Sequence, residues 1–483
     1  MPTKSAIAVL CAAASLGLAA TPLAAATLCV NPGGTGGCFS TIGAAIAAAD
    51  ATVETDTIDV AAGTYAELAV IPASEDGLTI NGPNAGINPC TDTRGAEAIV
   101  GTAVSPSGAF QVAGGADDAT IDGFTIQGVT GGPADLAAGV HALGSSGTRV
   151  VNNIVQNNVI GIAIGGSDVL VQFNDVRDNN NAGSSAGTGV YSDTGLTGST
   201  IDGNCFTGHQ NQTTLLIGSP IVAAAVTDVT LSNNTATSDS GFAFFGGSNH
   251  TVTGNSNVDN TIASSYFLGS VAGAVVNENL SLNGSFSGIR VNDGGAGAST
   301  GITASCNRLV GHDVAAINVE AGTHTGTLPA ENNWFGCNEG PGNPGCDVVI
   351  GDVDFDPWLV LTFEVDPALV PSGGGSALLA SLNANSDGLI APCSVPDGTP
   401  VAFASTCGPV NPAFTSTIDG EASATVTGGP IGLCEVSATV DNETVAQQVQ
   451  VVALLAAIPT ASTVGMMLLG LGLAALALFK LRG

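Results

Sequence analysis

Through the middle of the chain, short apolar runs recur between glycine, asparagine and aspartate, at a spacing too tight for helices and too regular for loops. Asn153, Asn174, Asn204, Asn234, Asn255, Asn279, Asn307 and Asn333 stand beside such runs at intervals of 21, 30, 30, 21, 24, 28 and 26 residues. Most sit in segments such as Val151-Asn152-Asn153-Ile154. Many are followed by a glycine and a second apolar run, as in Gly161-Ile162-Ala163-Ile164, Gly189-Val190-Tyr191 and Gly288-Ile289-Arg290-Val291. Short strands, turns of Gly, Asn and Asp, and coils of this length predict a parallel β-helix. Period-2 alternation places Val, Ile and Leu inside each coil. The asparagines are expected at the corners, where they tolerate the left-handed backbone and where stacked amides bond from turn to turn. The column is therefore read as structural.

Ahead of the array, Ser40 to Ala49 reads as a short helix with Ser40 as N-cap and Ile42, Ala45, Ile46 and Ala49 on one face. Such a helix covers the open end of a solenoid, which otherwise exposes apolar side chains and unpaired backbone. A strand and turn follow over Asp56 to Tyr65, and Leu78-Thr79-Ile80-Asn81-Gly82 begins another coil. This opening resembles that of the pectin lyase-like, right-handed β-helix superfamily, and Asp118 to Ile126 is similar to its generic repeat. The resemblance spans residues 27–360 and implies a right-handed parallel β-helix. It implies no activity, because that superfamily holds lyases, hydrolases and non-enzymes.

Beyond Asn332-Asn333-Trp334-Phe335-Gly336-Cys337 and Asp352 to Trp358 the character changes. Residues 363–452 alternate at sandwich-like spacing, punctuated by Ser386-Asp387-Gly388, Pro396-Asp397-Gly398 and Asp419-Gly420. This stretch resembles an invasin/intimin-type bacterial Ig-like domain, a spacer module.

The two ends read as addresses. Residues 1–26 form a secretory signal: Lys4, an apolar run from Ala6 to Ala20, and the cleavage site Ala24-Ala25-Ala26, so that the mature chain starts at Thr27. Val464 to Phe479 is 16 uncharged residues followed by Lys480 and Arg482, a transmembrane helix when extended back to Ala461. The preceding segment resembles the IPTL-CTERM sorting domain of Gram-negative bacteria, matching it at Ile458, Pro459, Thr460, Ser462 and Gly465. That resemblance implies an exosortase-like sorting protease as partner, and the inner membrane as a transient or lasting anchor. The expected fold class is all-β: a right-handed parallel β-helix (27–362), a small β-sandwich (363–452), a signal peptide (1–26), and a sorting segment with a transmembrane helix (453–483).

Charge removes whole functional classes. The chain has 40 acidic and 8 basic residues, a net charge of −32, with a mean hydropathy of +0.38. Between the ends, Arg94, Arg149, Arg177, Arg290 and Arg308 face all 40 acids, 5 − 40 = −35, with no lysine. Nucleic-acid binding is excluded on this ground, as are lysine-dependent phosphate loops and Schiff bases. Ten cysteines remain after Cys11, an even number that suits an oxidising compartment. Cys29/Cys38 and Cys337/Cys346 are the expected pairs. The other six divide three and three, Cys90, Cys205 and Cys306 against Cys393, Cys407 and Cys434, which leaves one free thiol expected in each domain.

Candidate chemistry is sparse. Asp117-Asp118 is a catalytic candidate, although a turn explains the pair more simply. The Asn-Thr-Asp and Arg-Ile-Lys triplets of polygalacturonases do not occur. Arg149, Arg177, Arg290 and Arg308 are candidate lyase bases or ion-paired surface residues. His141, His209, His250, His312 and His324 lack metal-ligand spacing, and His312-Asp313 is set aside because strand neighbours face opposite ways. Asp352, Asp354 and Asp356 alternate and form a candidate Ca²⁺ site, against a solvated face. No cofactor beyond Ca²⁺ is indicated. The expected function is an exported surface or matrix protein presenting an acidic β-helix for adhesion or carbohydrate binding, without catalysis. The alternative is a polysaccharide lyase or glycoside hydrolase.

Overall fold

A computed structural model describes residues 25–51, 55–101, 108–131, 136–193, 195–209, 218–260, 263–454 and 463–480. Three parallel sheets of 11, 11 and 10 strands wind into a β-helix, and an antiparallel four-stranded sheet and a mixed five-stranded sheet form a small sandwich. The first sheet opens with Thr27–Val30, the second with Gly63–Tyr65 and the third with Ala69–Ile71. The chain falls into two compact units, Met1–Ala274 with Asn292–Ser299, and Val275–Val291 with Thr300–Gly483.

In the first unit the core is a set of in-register columns. Ile58, Ile80, Ile121, Val150, Val171, Ile201, Leu231 and Val252 stack coil on coil in the first sheet, all buried. Strand neighbours lie about 4.8 Å apart, so each branched side chain rests on the next and excludes water along the whole column. The helix Ile42–Ala49 buries the expected face, Ile42, Ala45, Ile46 and Ala49. Its cap is Thr41 rather than Ser40: the Thr41 hydroxyl accepts from Ala44 N at 3.1 Å. The Glu67 carboxylate accepts from Ile42 N at 2.8 Å and Gly43 N at 3.0 Å, which satisfies two more open N–H groups.

The corner between the first and second sheets holds the asparagine column. Asn153 Nδ2 donates to Ile121 O at 3.0 Å and to Val151 O at 2.8 Å, while Asn153 N donates to Asn174 Oδ1 at 2.9 Å. The same backbone link runs from Asn174 to Asn204, Asn234 and Asn255. The left-handed residue is not the column asparagine but the one before it. Asn152, Phe173, Gly203, Asn233 and Gly254 all have positive φ. The column therefore needs an amide for its bonds, and the turn places its strain one residue earlier.

In the second unit Asn279, Asn307 and Asn333 form a column linked in the same way. Leu359–Asp366 then pairs antiparallel with Gly375–Asn385, and Gly432–Val440 with Glu443–Val452. Leu361, Phe363, Leu378, Leu382, Phe403, Val426, Val436 and Val449 fill the core between these strands. Arg308 Nε donates to Asp441 Oδ2 at 2.9 Å, and the buried Trp334 Nε1 donates to the same oxygen at 2.7 Å. The disulfides Cys29–Cys38 and Cys337–Cys346 form as expected, with Cys90–Cys205 and Cys407–Cys434. The expected free thiols are absent. Cys306 bonds Cys393, joining the last coils to the sandwich, so counting cysteines within each domain separately could not pair them.

Ala26 N donates to Asp56 Oδ1 at 2.8 Å, while Ala24 lies outside the described residues. Ile458, Pro459, Thr460 and Ser462 of the sorting motif also lie outside them, and Gly465 falls in the helix Thr463–Lys480. Among the described residues, no helix is long and apolar enough to cross a membrane.

Candidate functional site

The third sheet carries the row with the most chemical variety. Register aligns Gln111, His141, Ala163, Tyr191, Val222, Ala243 and Phe267 on seven successive strands. Their chain neighbours Val140, Ile162, Val190, Ile221, Phe242 and Tyr266 are buried in the core, so alternation turns this row outward. Six strand steps make it roughly 29 Å long. Gln111, His141, Tyr191, Val222 and Phe267 are half-buried, whereas Ala163 and Ala243 are small and buried. Phe245 lies beside the row, 41% exposed, with its ring centroid 5.0 Å from that of Phe267. Its register partner is Gly269, which has no side chain to crowd the ring.

Polar groups punctuate this apolar ground. The Tyr191 hydroxyl donates to Asp193 Oδ2 at 2.9 Å. Burial first, and then Asp193, push the phenol up against the opposing effect of a hydrogen bond with Ser185, so it stays a donor at neutral pH. Burial pushes the His141 imidazole below its ordinary value, against a smaller opposing effect of a backbone hydrogen bond. His141 Nδ1 is buried without a hydrogen-bond partner. A neutral imidazole, a phenol, an amide and two phenyl faces in one line can hold the hydroxyls and apolar faces of successive sugar rings.

Two acid–histidine pairs escaped the sequence reading. His209 Nδ1 lies 2.8 Å from Asp239 Oδ2, both side chains fully buried. His312 pairs not with Asp313 but with Asp347, Nδ1 to Oδ2 at 2.7 Å, while its Nε2 lies 2.7 Å from Ser281 Oγ. This Ser–His–Asp chain has the connectivity of a hydrolytic triad. Its serine, however, is fully buried on the inward face of Leu280–Leu282, where no substrate carbonyl reaches it. Both histidines stand two residues after a second-sheet strand, the corner position held by Asn158 and Asn179 in other coils. That shared offset was the available signal. A Cβ at Gly189 would lie 3.1 Å from His209 Nε2, and one at Gly288 3.1 Å from His312 Nε2. The glycine that opens these third-sheet strands therefore makes room for the corner side chain.

The sequence candidates fall elsewhere. Asp117 and Asp118 occupy the turn from third to first sheet: Asp117 Oδ1 accepts from Ser146 N at 2.8 Å, and Asp118 takes the left-handed position. Asp352, Asp354 and Asp356 share an exposed face. Among the described residues, ligand atoms converge within 4.8 Å only at Cys337, Glu339 and Cys346, whose sulfurs are bonded to each other. Arg94, Arg177, Arg290 and Arg308 form ion pairs with Glu97, Asp175, Glu320 and Asp441. Arg149 is exposed on the first sheet, with no ion pair among the described residues. His250 stacks on Phe244 at 4.5 Å, and His324 Nδ1 lies 2.8 Å from Gly326 O.

No protein-family model matches the chain, and no curated protein matches it by sequence. Among solved structures it is similar to a DFA-IIIase mutant from Arthrobacter chlorophenolicus A6, at 15% identity over 68% of this chain and 85% of that one, TM-score 0.45. It is also similar to an alginate lyase from Paenibacillus sp. str. FPU-7, at 12% identity over 68% of this chain and 99% of that one, TM-score 0.42. The D0–D1 domain of intimin aligns at 17% identity over 22% of this chain, TM-score 0.17, and the chain spans 55% of that structure's length. None of these likenesses bears on this chain's activity.

Proposed function

We propose that the protein is a carbohydrate-active β-helix that holds a polysaccharide along the outward row of its third sheet, outside the cytoplasm. The observation that carries this reading is the row itself: His141, Tyr191 and Phe267 in register, with Phe245 beside them. Solvent-facing aromatics set between hydrogen-bonding groups suit a ligand with alternating apolar faces and hydroxyls. Five disulfides support an oxidising compartment. The sorting segment, its exosortase-like protease and a surface location belong to the same proposal and rest on residues 458–465 alone.

The test is retention of the full chain on a panel of neutral and acidic polysaccharides, with and without Ca²⁺, beside Phe245→Ala/Phe267→Ala. At least one polymer should retain the native chain, and the double variant should lose most of that retention. Equal retention of the two proteins would sink the proposal.

A second reading is favoured by the half-buried imidazole of His141 in the row, which burial keeps neutral and so able to accept a proton: the same row cleaves the glycan it holds. His141 and Tyr191 stand two strands apart, roughly 10 Å, room for a sugar and a water between an acid and a base. His141 would take a proton from the attacking water, and the Tyr191–Asp193 pair would return one to the departing sugar oxygen. New chain ends in the binding assay, abolished by His141→Gln while retention falls only in part, are the expected result. Their absence on every retained polymer leaves binding as the function.

A further inference from the structure

We infer that the sandwich is the C-terminal cap of the β-helix, not a spacer hung from it, and that the last coils and the sandwich open as one cooperative body. A solenoid ends on a rung whose backbone has no next coil to bond and whose apolar columns have nothing to rest on. The helix Ile42–Ala49 meets that need at the first coil. At the far end the sandwich meets it, within the second unit and whatever the third-sheet row binds.

The first sandwich strand is also the last rung. The residue after each column asparagine donates its N–H to the carbonyl of the asparagine one coil before: Cys205 N to Asn174 O, Arg308 N to Asn279 O and Trp334 N to Asn307 O. Leu359 N donates to Asn333 O at 3.0 Å in the same way, and Leu359 opens the strand Leu359–Asp366 that enters the sandwich. The apolar columns are covered too. Val310 and Trp334 of the last coils share one buried cluster with Leu359, Leu361, Phe363, Val436 and Val440.

Polar groups latch the junction. The turn residue Asp441 accepts from Arg308 Nε and Nη2 and from Trp334 Nε1. Its neighbours bond the same coil: Asn442 N donates to Gly336 O at 3.2 Å, and Glu443 Oε2 accepts from Asn338 N at 2.9 Å. Asn338 also exchanges two bonds with Leu361. The Arg308 and Asp441 side chains are 6% and 9% exposed, so removing either would leave the other buried and unpaired. A module on a linker has few contacts crossing its boundary. Here a shared rung, a shared core, an ion pair and the Cys306–Cys393 disulfide all cross it.

The test is hydrogen exchange on the full chain with disulfides intact, resolved by peptide. Amides of the coil strands Arg308–Val310 and Ala315–Val319 and of the sandwich strands Gly375–Asn385 and Gly432–Val440 should report one opening equilibrium, equal within about threefold. Asp441→Ala should speed exchange of all four strands together by about a hundredfold, with Thr120–Asp122 of the first unit unchanged. Trp334 and Trp358 are the chain's two tryptophans, and Trp358 Nε1 donates to Asn338 O at this junction. Their fluorescence should therefore change at a lower urea concentration in that variant.

If Asp441→Ala does not fold, the native chain and Cys306→Ser/Cys393→Ser still decide. Without the disulfide the four strands should exchange faster but still together. Sandwich amides that exchange while the coil amides stay protected, in the native chain or in the cysteine variant, would mark a separate spacer and overturn the inference.

Discussion

Two corners of the β-helix differ in what they tolerate. At the corner between first and second sheets every rung from Asn153 to Asn255 is asparagine. Its Nδ2 serves a carbonyl of the preceding coil and, in Asn153, Asn174, Asn204 and Asn255, a carbonyl two residues back in its own turn. At the corner between second and third sheets the rungs run Asn158, Asn179, His209 and Asp239. Asn158 and Asn179 still donate to Ile126 O and Val155 O, at 3.2 and 3.0 Å. The next rung then hands over to an imidazole and a carboxylate, with His209 N and Nδ1 both directed at Asp239. Where one small side chain must accept from the backbone N–H of the preceding coil and donate twice in a fixed plane, only an amide has the right inventory. Where one of those bonds is not demanded, a paired acid and base fill the same place.

The largest effect should come from the strict corner. Asn204→Leu removes the acceptor of the Asn174 N–H and an amide donor to the carbonyls of Val171 and Asp202, the latter keeping Phe173 N, and should cost about 3–5 kcal/mol, read from urea unfolding of the disulfide-intact chain. At the permissive corner Asp239→Leu should cost about 2–3 kcal/mol, because two His209 donors lose their acceptor. The double variant His209→Asn/Asp239→Asn rebuilds an amide rung and should stay within about 1 kcal/mol of the native chain. If it proves as damaging as Asn204→Leu, the two corners do not differ in the way described.

The outer row marks the opposite extreme. Phe245→Ala/Phe267→Ala should change stability by under about 1 kcal/mol while removing glycan retention, so that surface function and interior stability separate in a single variant.

The smallest effect belongs to the third corner, where Glu75 is buried between third- and first-sheet strands. Burial first, then Asp50, Asp56 and Asp76, raise its folded pKa above the ordinary glutamate value of about 4.5. The folded state thus holds a proton that the unfolded chain releases. The stabilising contribution is present below about pH 4.5 and is lost as the pH rises through the folded value. Glu75→Gln should raise the melting temperature slightly at pH 7 and leave it unchanged near pH 4. A rise of equal size at both pH values would point to packing instead of charge.

Much of the interior was legible because it repeats. Intervals of 21 to 30 residues located the asparagine column, and four apolar positions located the buried face of the first helix. Local chemistry was read less well. Ser40 and Thr41 are both good caps, and only the backbone decides between them. The positive φ falls one residue before each column asparagine, on Phe173 and Glu278 as well as on glycine, which composition does not announce. Cys306–Cys393 and His312–Asp347 join residues 87 and 35 positions apart, and no periodicity relates the partners.

The outward row was missed for a related reason. Its members share no residue type, so a search for repeated letters passed over Gln111, His141, Tyr191 and Phe267. The triad-like Ser281, His312 and Asp347 teach the converse, since hydrogen-bond connectivity without exposure is a buried scaffold.

Sequence alone determined the β-helix and the sandwich, the excess of acidic over basic residues, and the identity of the column residue. Each is either repeated along the chain or summed over it, and so survives ignorance of where any coil sits. The tertiary structure decided which side chains share the outward row, which acid meets which histidine and which cysteines bond. Those pairings depend on register across coils of unequal length. Turns absorb the difference between coils of 21 and 30 residues while the strands stay in register, so outward neighbours are not found by counting along the chain.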